Sequence, residues 1–185
     1  GQIGLKRTTG LAMPALIIGA NLPDIDAVTA LMGPQSLAIR RGVTHGPIAL
    51  LLLPLALTAA LLAYDRWQRR RGKRPASRLP VNAGWLLALA TIGTLSHPLF
   101  DWFNSYGVRL LEPFSSQWFY GDTLFIIDIW IWALLGGGLW FSLRQERQVA
   151  ADWQRTARTA VTVTVTYIFA NFAISTAAEN MTDNI

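Results

Sequence analysis

Cysteine is absent from this chain, which excludes disulfides, thiolate metal ligands and cysteine nucleophiles. Charge is scarce: Asp, Glu, Lys and Arg make up 15% of the 185 residues, where a soluble domain carries roughly a quarter. Histidine occurs only twice, as His45 and His97. No glycine-rich phosphate loop, Gly-x-Ser-x-Gly elbow or His-Glu-x-x-His pattern is present. Lys6 and Arg7 precede an apolar stretch, but no small-residue cleavage pattern follows, so a signal peptide is not indicated. What fills the chain instead is apolar: 52% hydrophobic residues, with 8 Trp. The net charge of +5 comes from bases gathered in loops between apolar runs. That is the loop bias of a membrane protein, and nucleic acid is not the expected partner.

Four stretches approach the roughly 20 residues needed to cross a bilayer. They run from about Gly46 to Tyr64, Ala83 to Phe100, Leu124 to Leu143 and Ala157 to Ala178. A shorter run, Leu11 to Ala20, is broken by Pro14 and Gly19 and reads as a half-span packed inside the bundle. Val and Thr alternate from Val161 to Thr166, but the length of that stretch favours a helix whose Thr hydroxyls bond back to the backbone. The expected fold is therefore all-α: a polytopic membrane helical bundle of about four transmembrane helices plus a short N-terminal half-span. The chain opens without Met and stops after an apolar segment. It reads as one membrane-embedded domain, residues 1–185, cut from something longer.

Loop charge sets the orientation. Arg66, Arg69, Arg70, Arg71, Lys73, Arg74 and Arg78 separate the first two spans, and Arg144, Arg147, Arg155 and Arg158 separate the last two. Both loops are expected in the cytoplasm, and the first reads as a solvated linker. The loop from Asp101 to Thr123 holds Arg109 as its only strong base and is expected outside. On that topology Asp24, Asp26, His45, His97, Asp101 and Asp122, all at the ends of apolar runs, converge on one face of the membrane.

A carboxylate or imidazole at the edge of a bilayer calls for a partner, a cation or a path. Asp with His and almost no Glu is metal-ligand chemistry. In Leu22-Pro23-Asp24-Ile25-Asp26, an extended backbone would point both carboxylates the same way. Alternatively, one Asp caps the helix that follows while the other is solvated. In Arg40-Arg41-Gly42-Val43-Thr44-His45-Gly46-Pro47, Thr44 is expected as the N-cap and Pro47 in the first turn, with His45 beside it as a neutral ligand or an interfacial hydrogen-bonder. Arg40 and Arg41 either anchor to headgroups or hold an anionic substrate. His97 and Asp101, four apart, share a helix face, either as two ligands of one ion or as a buried hydrogen bond, and Asn104 continues that face. Asp122 is read as a helix cap or an extra ligand, and Asp128 as a group that orients a ligand or pairs with an arginine such as Arg109. The Trp residues at 118, 130, 132 and 140 are read as interface belt, and Gly136-Gly137-Gly138 as a close helix contact.

These strings taken in order, Asn21-Leu22-Pro23-Asp24-Ile25-Asp26, Arg41-Gly42-Val43-Thr44-His45-Gly46, Ser96-His97-Pro98-Leu99-Phe100-Asp101, Asn104-Ser105-Tyr106-Gly107 and Pro113-Phe114, resemble the YdjM-type family. These are bacterial inner-membrane proteins described as metal-dependent hydrolases and linked by name to the LexA regulon. The resemblance covers nearly the whole chain and lies with the longer members, which continue into a soluble C-terminal domain. Two departures stand out: an Asn-x-Thr-His element typical of the family would fall before Gly1, and Arg40 stands where many short members carry His. A looser likeness to zinc-dependent phospholipase C and related nucleases points, by analogy alone, to phosphoester chemistry.

The expected function is hydrolysis of an ester or phosphoester, small or lipid-linked, at a divalent metal site on the outer face of the bacterial inner membrane. Asp24, Asp26, His45, His97, Asp101 and Asp122 are the expected ligands of Zn²⁺ or Mn²⁺. Asp128 is expected to take the proton, and Arg41 and Asn104 to orient substrate. The alternative is a transporter or metal-handling protein using the same acids as an ion path. A transporter should carry polar residues through the membrane core, where this chain has mainly Asn171. The topology is checked with single cysteines at Lys73 and Ser116, which should react with an impermeant thiol reagent from opposite sides of the membrane. Labelling from the same side would remove the basis for a shared outer site.

Overall fold

The computed structural model describes residues 2–35, 41–125, 127–148 and 152–182. Arg40, a candidate substrate anchor, lies outside them. The described chain is all-helical, with α1 at Ala12–Asn21, α2 at Pro47–Arg70, α3 at Ala83–Phe103, α4 at Ile129–Arg147 and α5 at Trp153–Thr182. Two 3-10 helices, Leu5–Arg7 and Pro23–Gln35, flank α1. Among the described residues the only β-type pairing is two isolated bridges, Asn104 with Leu124 and Val108 with Phe119.

Three helices are long and apolar enough to cross a membrane: Pro47–Arg70, Ala83–Phe103 and Trp153–Ala178, with mean hydropathies of 2.1, 1.3 and 1.4. Only 22%, 33% and 11% of their apolar windows are buried within the protein. Side chains such as Leu51, Leu52, Ile92, Leu95, Phe169 and Ile174 instead face outward, as lipid-facing surfaces do. The expected third span is shorter than the sequence pattern indicates. Leu124 precedes the helix, which begins only at Ile129, and its last turn carries Arg144, Glu146 and Arg147.

The chain divides into two compact units. The first comprises Leu5–Asp101 with Gly107–Phe119. Its core is made by Ala12 and Ala15 of α1, Leu57 and Leu61 of α2, and Leu86, Leu89 and Ala90 of α3. Small residues let α1 and α3 touch through their backbones. A Cβ on Gly93 would sit 2.8 Å from the Leu16 carbonyl oxygen, and one on Gly19 would sit 2.9 Å from that of Ala90. Thr9 meets the start of α3, where the Asn82 N–H donates to its hydroxyl (2.8 Å). Ala20 meets the far end at His97. α1 therefore runs alongside α3 from one end of the unit toward the other.

At the first of those ends the expected solvated linker is an ordered ion cluster. Asp65, buried near the end of α2, accepts from Arg69 Nε (2.7 Å), Arg74 Nε (3.1 Å) and Arg78 Nη1 (3.4 Å). Arg74 also ties to the carbonyls of Arg78 and Leu79, and Arg78 to Gln68.

The second unit comprises Gly1–Gly4, Trp102–Tyr106 and Tyr120–Ile185. Here α4 and α5 pack as an antiparallel pair joined by a short connection. Gly138 faces Ala160 at contact distance, while Gly136 and Gly137 are open. Ser142 donates to the Trp153 carbonyl (2.7 Å). The Thr-rich stretch is helical, with Thr164 and Thr166 donating to the carbonyls of Ala160 and Thr162. Gly93→Ala should lower the thermal midpoint of the detergent-solubilised protein, at a cost of about 1–3 kcal/mol for overpacking. Gly137→Ala, with nothing within 4 Å of its new methyl, should be neutral or mildly stabilising. Equal midpoints for the two variants would rule out the close α1–α3 contact.

Candidate metal centre

Four side chains of the first unit meet where α1 and α3 end and α2 begins. His97 and Asp101 lie one turn apart on α3, His97 Nε2 being 3.6 Å from Asp101 Oδ2. Pro98 sits inside the helix between them without ending it. His45 lies just before α2, in a turn where its N–H donates to the Gly42 carbonyl (2.8 Å). Its Nε2 is 3.2 Å from Asp101 Oδ2, and its ring centroid is 5.3 Å from that of His97. Asp24, at the start of the 3-10 helix after α1, places Oδ1 3.3 Å from His97 Nε2. Asp24, His45 and His97 offer ligand atoms that all lie within 4.8 Å of one another.

Both rings are oriented from behind. His97 Nδ1 lies 2.7 Å from the Ala20 carbonyl, which can only accept, so Nδ1 carries the hydrogen. Thr44 Oγ1 donates to Asp26 Oδ2 (2.8 Å), so at 3.0 Å from His45 Nδ1 it accepts from the ring. In the neutral form each imidazole therefore turns an Nε2 lone pair toward the carboxylates. His45 Nε2, His97 Nε2 and Asp101 Oδ2 are buried, and with both rings neutral in this tautomer none of them has a donor. Buried acceptors facing acceptors are costly. One divalent cation, or a proton on each ring, removes the conflict.

Asp26 sits behind this cluster. An extended backbone would have aimed it with Asp24, but the segment is a 3-10 helix with three residues per turn, so residues two apart leave on different faces. Asp24 is 54% exposed at its side chain and faces His97, while Asp26 is almost fully buried. Asp26 accepts from the Arg41 N–H (2.9 Å) and the Thr44 hydroxyl, 3.6 Å from His45 Nδ1. Thr44 is accordingly not the cap of α2. Gly46 holds that position, with Pro47 at the first turn. A side chain at Gly46 would collide with the Glu112 carbonyl.

Arg41 stands at the rim. Its backbone is left-handed (φ 56°), fixed by its N–H to Asp26 and by the Arg109 N–H donating to its carbonyl (3.0 Å). Its guanidinium lies 3.9 Å from Asp101 Oδ1 and 3.4 Å from the Gly107 carbonyl.

Three further candidates belong to the second unit. Asp122 adopts φ 41°, and its carbonyl accepts from Ser175 (3.1 Å). Asp128, rather than Asp122, caps α4: its Oδ1 accepts from the N–H groups of Trp130 and Ile131 (3.0 Å each), and Oδ2 from the Tyr167 hydroxyl (3.0 Å). Asn104 pairs by its backbone with Leu124. The residue that sequence reasoning missed here is Thr44 as a link between Asp26 and His45. Its only signal was adjacency to a histidine.

Apolar spanning helices around buried, converging imidazoles and carboxylates define an integral membrane helical protein with a potential metal-binding group. The chain belongs to the YdjM inner membrane protein family, whose family model matches residues 2–178. No curated protein and no solved structure matches it.

Replacing His97 or Asp101 by Ala should remove most bound metal from the purified protein while leaving its helical content intact. Thr44→Val, which deletes only the link behind His45, should weaken metal affinity about 10–100-fold. Unchanged metal content in all three, or none in the parent protein, would leave the rings as a protonated ion-pair network.

Proposed function

We propose that the protein is a membrane-embedded, metal-dependent hydrolase of an ester or phosphoester. The observation that carries this reading is the convergence of buried acceptors that face one another without a donor while the rings are neutral: His45 Nε2, His97 Nε2 and Asp101 Oδ2, with Asp24 alongside. Two neutral imidazoles with carboxylates suit Zn²⁺ or Mn²⁺. His45, His97, Asp24 and Asp101 would hold the ion. A divalent cation there supplies Lewis acidity, acidifying a water and polarising an ester or phosphoester oxygen.

The remaining groups divide the work. Asp26 and Thr44 keep the His45 ring turned and its Nδ1 protonated, and the Ala20 carbonyl does the same for His97. Arg41, held beside Asp101 by its own backbone, is placed to receive a negatively charged oxygen of the substrate, since guanidinium matches phosphate geometry. Asp24 is the carboxylate of this set with most access to water, so it marks the side from which solvent and substrate would reach the ion. Asp128 fits a structural role better than that of proton acceptor, because its oxygens already serve α4 and Tyr167.

The location of the cluster supports an outward-facing site. It lies at the start of α2 and the end of α3, and the Asp65–arginine cluster lies at their opposite ends. From Pro47 to Asp65 is about 27 Å of helix, most of a bilayer's hydrocarbon thickness. If the basic loop is cytoplasmic, the His and Asp residues face the periplasm.

Activity of the purified protein on a panel of phosphoesters and lipid esters should rise with pH near about 7 for a zinc site. It should vanish with a chelator and return with Zn²⁺ or Mn²⁺. Arg41→Gln should raise KM for a phosphoester far more than for a neutral ester, at unchanged metal content. Metal- or proton-dependent flux in liposomes without turnover of any ester would favour a transporter instead.

A further inference from the structure

The end of the first unit remote from the histidines carries a second assembly that hydrolysis does not use. Seven bases lie between Arg66 and Arg78. Asp65 engages three of them, Arg69, Arg74 and Arg78; Arg74 also fastens the loop to its own carbonyls, and Arg78 bonds Gln68. Arg66, Arg70, Arg71 and Lys73 are exposed. None of the four has a carboxylate within ion-pair distance among the described residues. Arg66 and Arg70 lie in the last turns of an apolar spanning helix, and Arg71 and Lys73 follow it.

Two exposed aromatic residues mark the depth of this patch. Tyr64 and Trp67 stack at 6.1 Å between ring centroids, and the Arg71 guanidinium lies over the Trp67 ring at 5.6 Å. Tyr and Trp at the end of a membrane helix sit at headgroup level. Bases held beside them lie at the height of lipid phosphates. The ordered loop lowers the entropy lost on binding, because the backbone that carries Lys73 is already fixed by the Asp65 cluster.

We infer that Arg66, Arg70, Arg71 and Lys73 form a docking surface for the headgroups of anionic phospholipids in the leaflet at that end of α2. The occupant is a lipid rather than a nucleic acid because the patch begins inside the last turns of a spanning helix and shares its surface with exposed Tyr64 and Trp67. Guanidinium pairs bidentately with a phosphodiester oxygen pair, and each base near an anionic surface adds attraction that falls with salt. This surface is independent of the metal reading and would stand if no hydrolysis were found.

The test is lipid retained per protein after the full chain is exchanged from mixed micelles of phosphatidylglycerol and phosphatidylcholine into plain detergent. At low salt, phosphatidylglycerol should be retained about tenfold over phosphatidylcholine, and the preference should shrink at high salt. The quadruple variant R66Q/R70Q/R71Q/K73Q should lose the preference, and R66K/R70K/R71K should keep most of it. Circular dichroism checks that each variant is folded, and the salt dependence of the parent protein stands without any variant. A preference that ignores salt, or that survives in the folded quadruple variant, would overturn the proposal. So would a short DNA duplex that displaces phosphatidylglycerol from the parent protein, which would assign the patch to nucleic acid.

Discussion

Both imidazole rings are held by their Nδ1 hydrogens, and the geometry of the site follows from those two contacts. The carbonyl that holds His97 belongs to Ala20, in the last turn of α1, where backbone carbonyls have no helical partner and look for a donor. The hydroxyl that holds His45 belongs to Thr44, itself directed by Asp26. With the hydrogens committed behind, each Nε2 turns a lone pair inward, against Asp101 and Asp24. A neutral His–Asp pair that served only to pin a helix would turn an N–H to the carboxylate. In their neutral form the rings here do the reverse, so the site calls for added positive charge, from a cation or from a second proton on each ring.

That arrangement depends on how closely α1 approaches α3. Ala20 reaches His97 because Gly19 and Gly93 let the two backbones touch, with Ala12, Ala15 and Ala90 continuing the contact. In lipid there is little hydrophobic drive between helices, so packing of small residues and interhelical hydrogen bonds carry the association. The short helix is thus better described as a strut than as an abbreviated span. One end is tied to Pro80 and Asn82, and the other delivers a carbonyl to the site.

Much of this was readable from residue spacing, because it depends on local periodicity. The long apolar helices, the shared face of His97 and Asp101, Pro47 in the first turn and the bond-back of the threonines all arise within one helix. What escaped depends on partners distant in sequence or on the local backbone type. Asp24 and Asp26 diverge because their segment is 3-10 rather than extended. Thr44 looked like a cap, but Asp26, 18 residues away, recruits its hydroxyl, and the Gly46 N-cap has the Glu112 carbonyl against it. Asp128 read as an acid inside a span in need of a partner, and it defines where that helix starts. Asp65 drew no notice among so many arginines, although it organises them.

The two polar assemblies of the first unit resolve the same difficulty in opposite ways. Each places charge at the end of apolar helices, where hydration is partly lost. At one end a single buried carboxylate is surrounded by three guanidinium groups, so negative charge is over-compensated and the surplus is positive. At the other end carboxylates and imidazole lone pairs converge with Arg41 Nη2 no nearer than 3.9 Å to Asp101 Oδ1, so the deficit is positive charge. α2 and α3 connect the two across about 22–27 Å of mostly apolar helix. The surplus end is suited to anions that stay in the membrane, the lipid phosphates. The deficit end is suited to a cation, and through Arg41 to an anionic group brought against it. The two ends of the first unit thus carry imbalances of opposite sign, and the sign at each defines what it can hold.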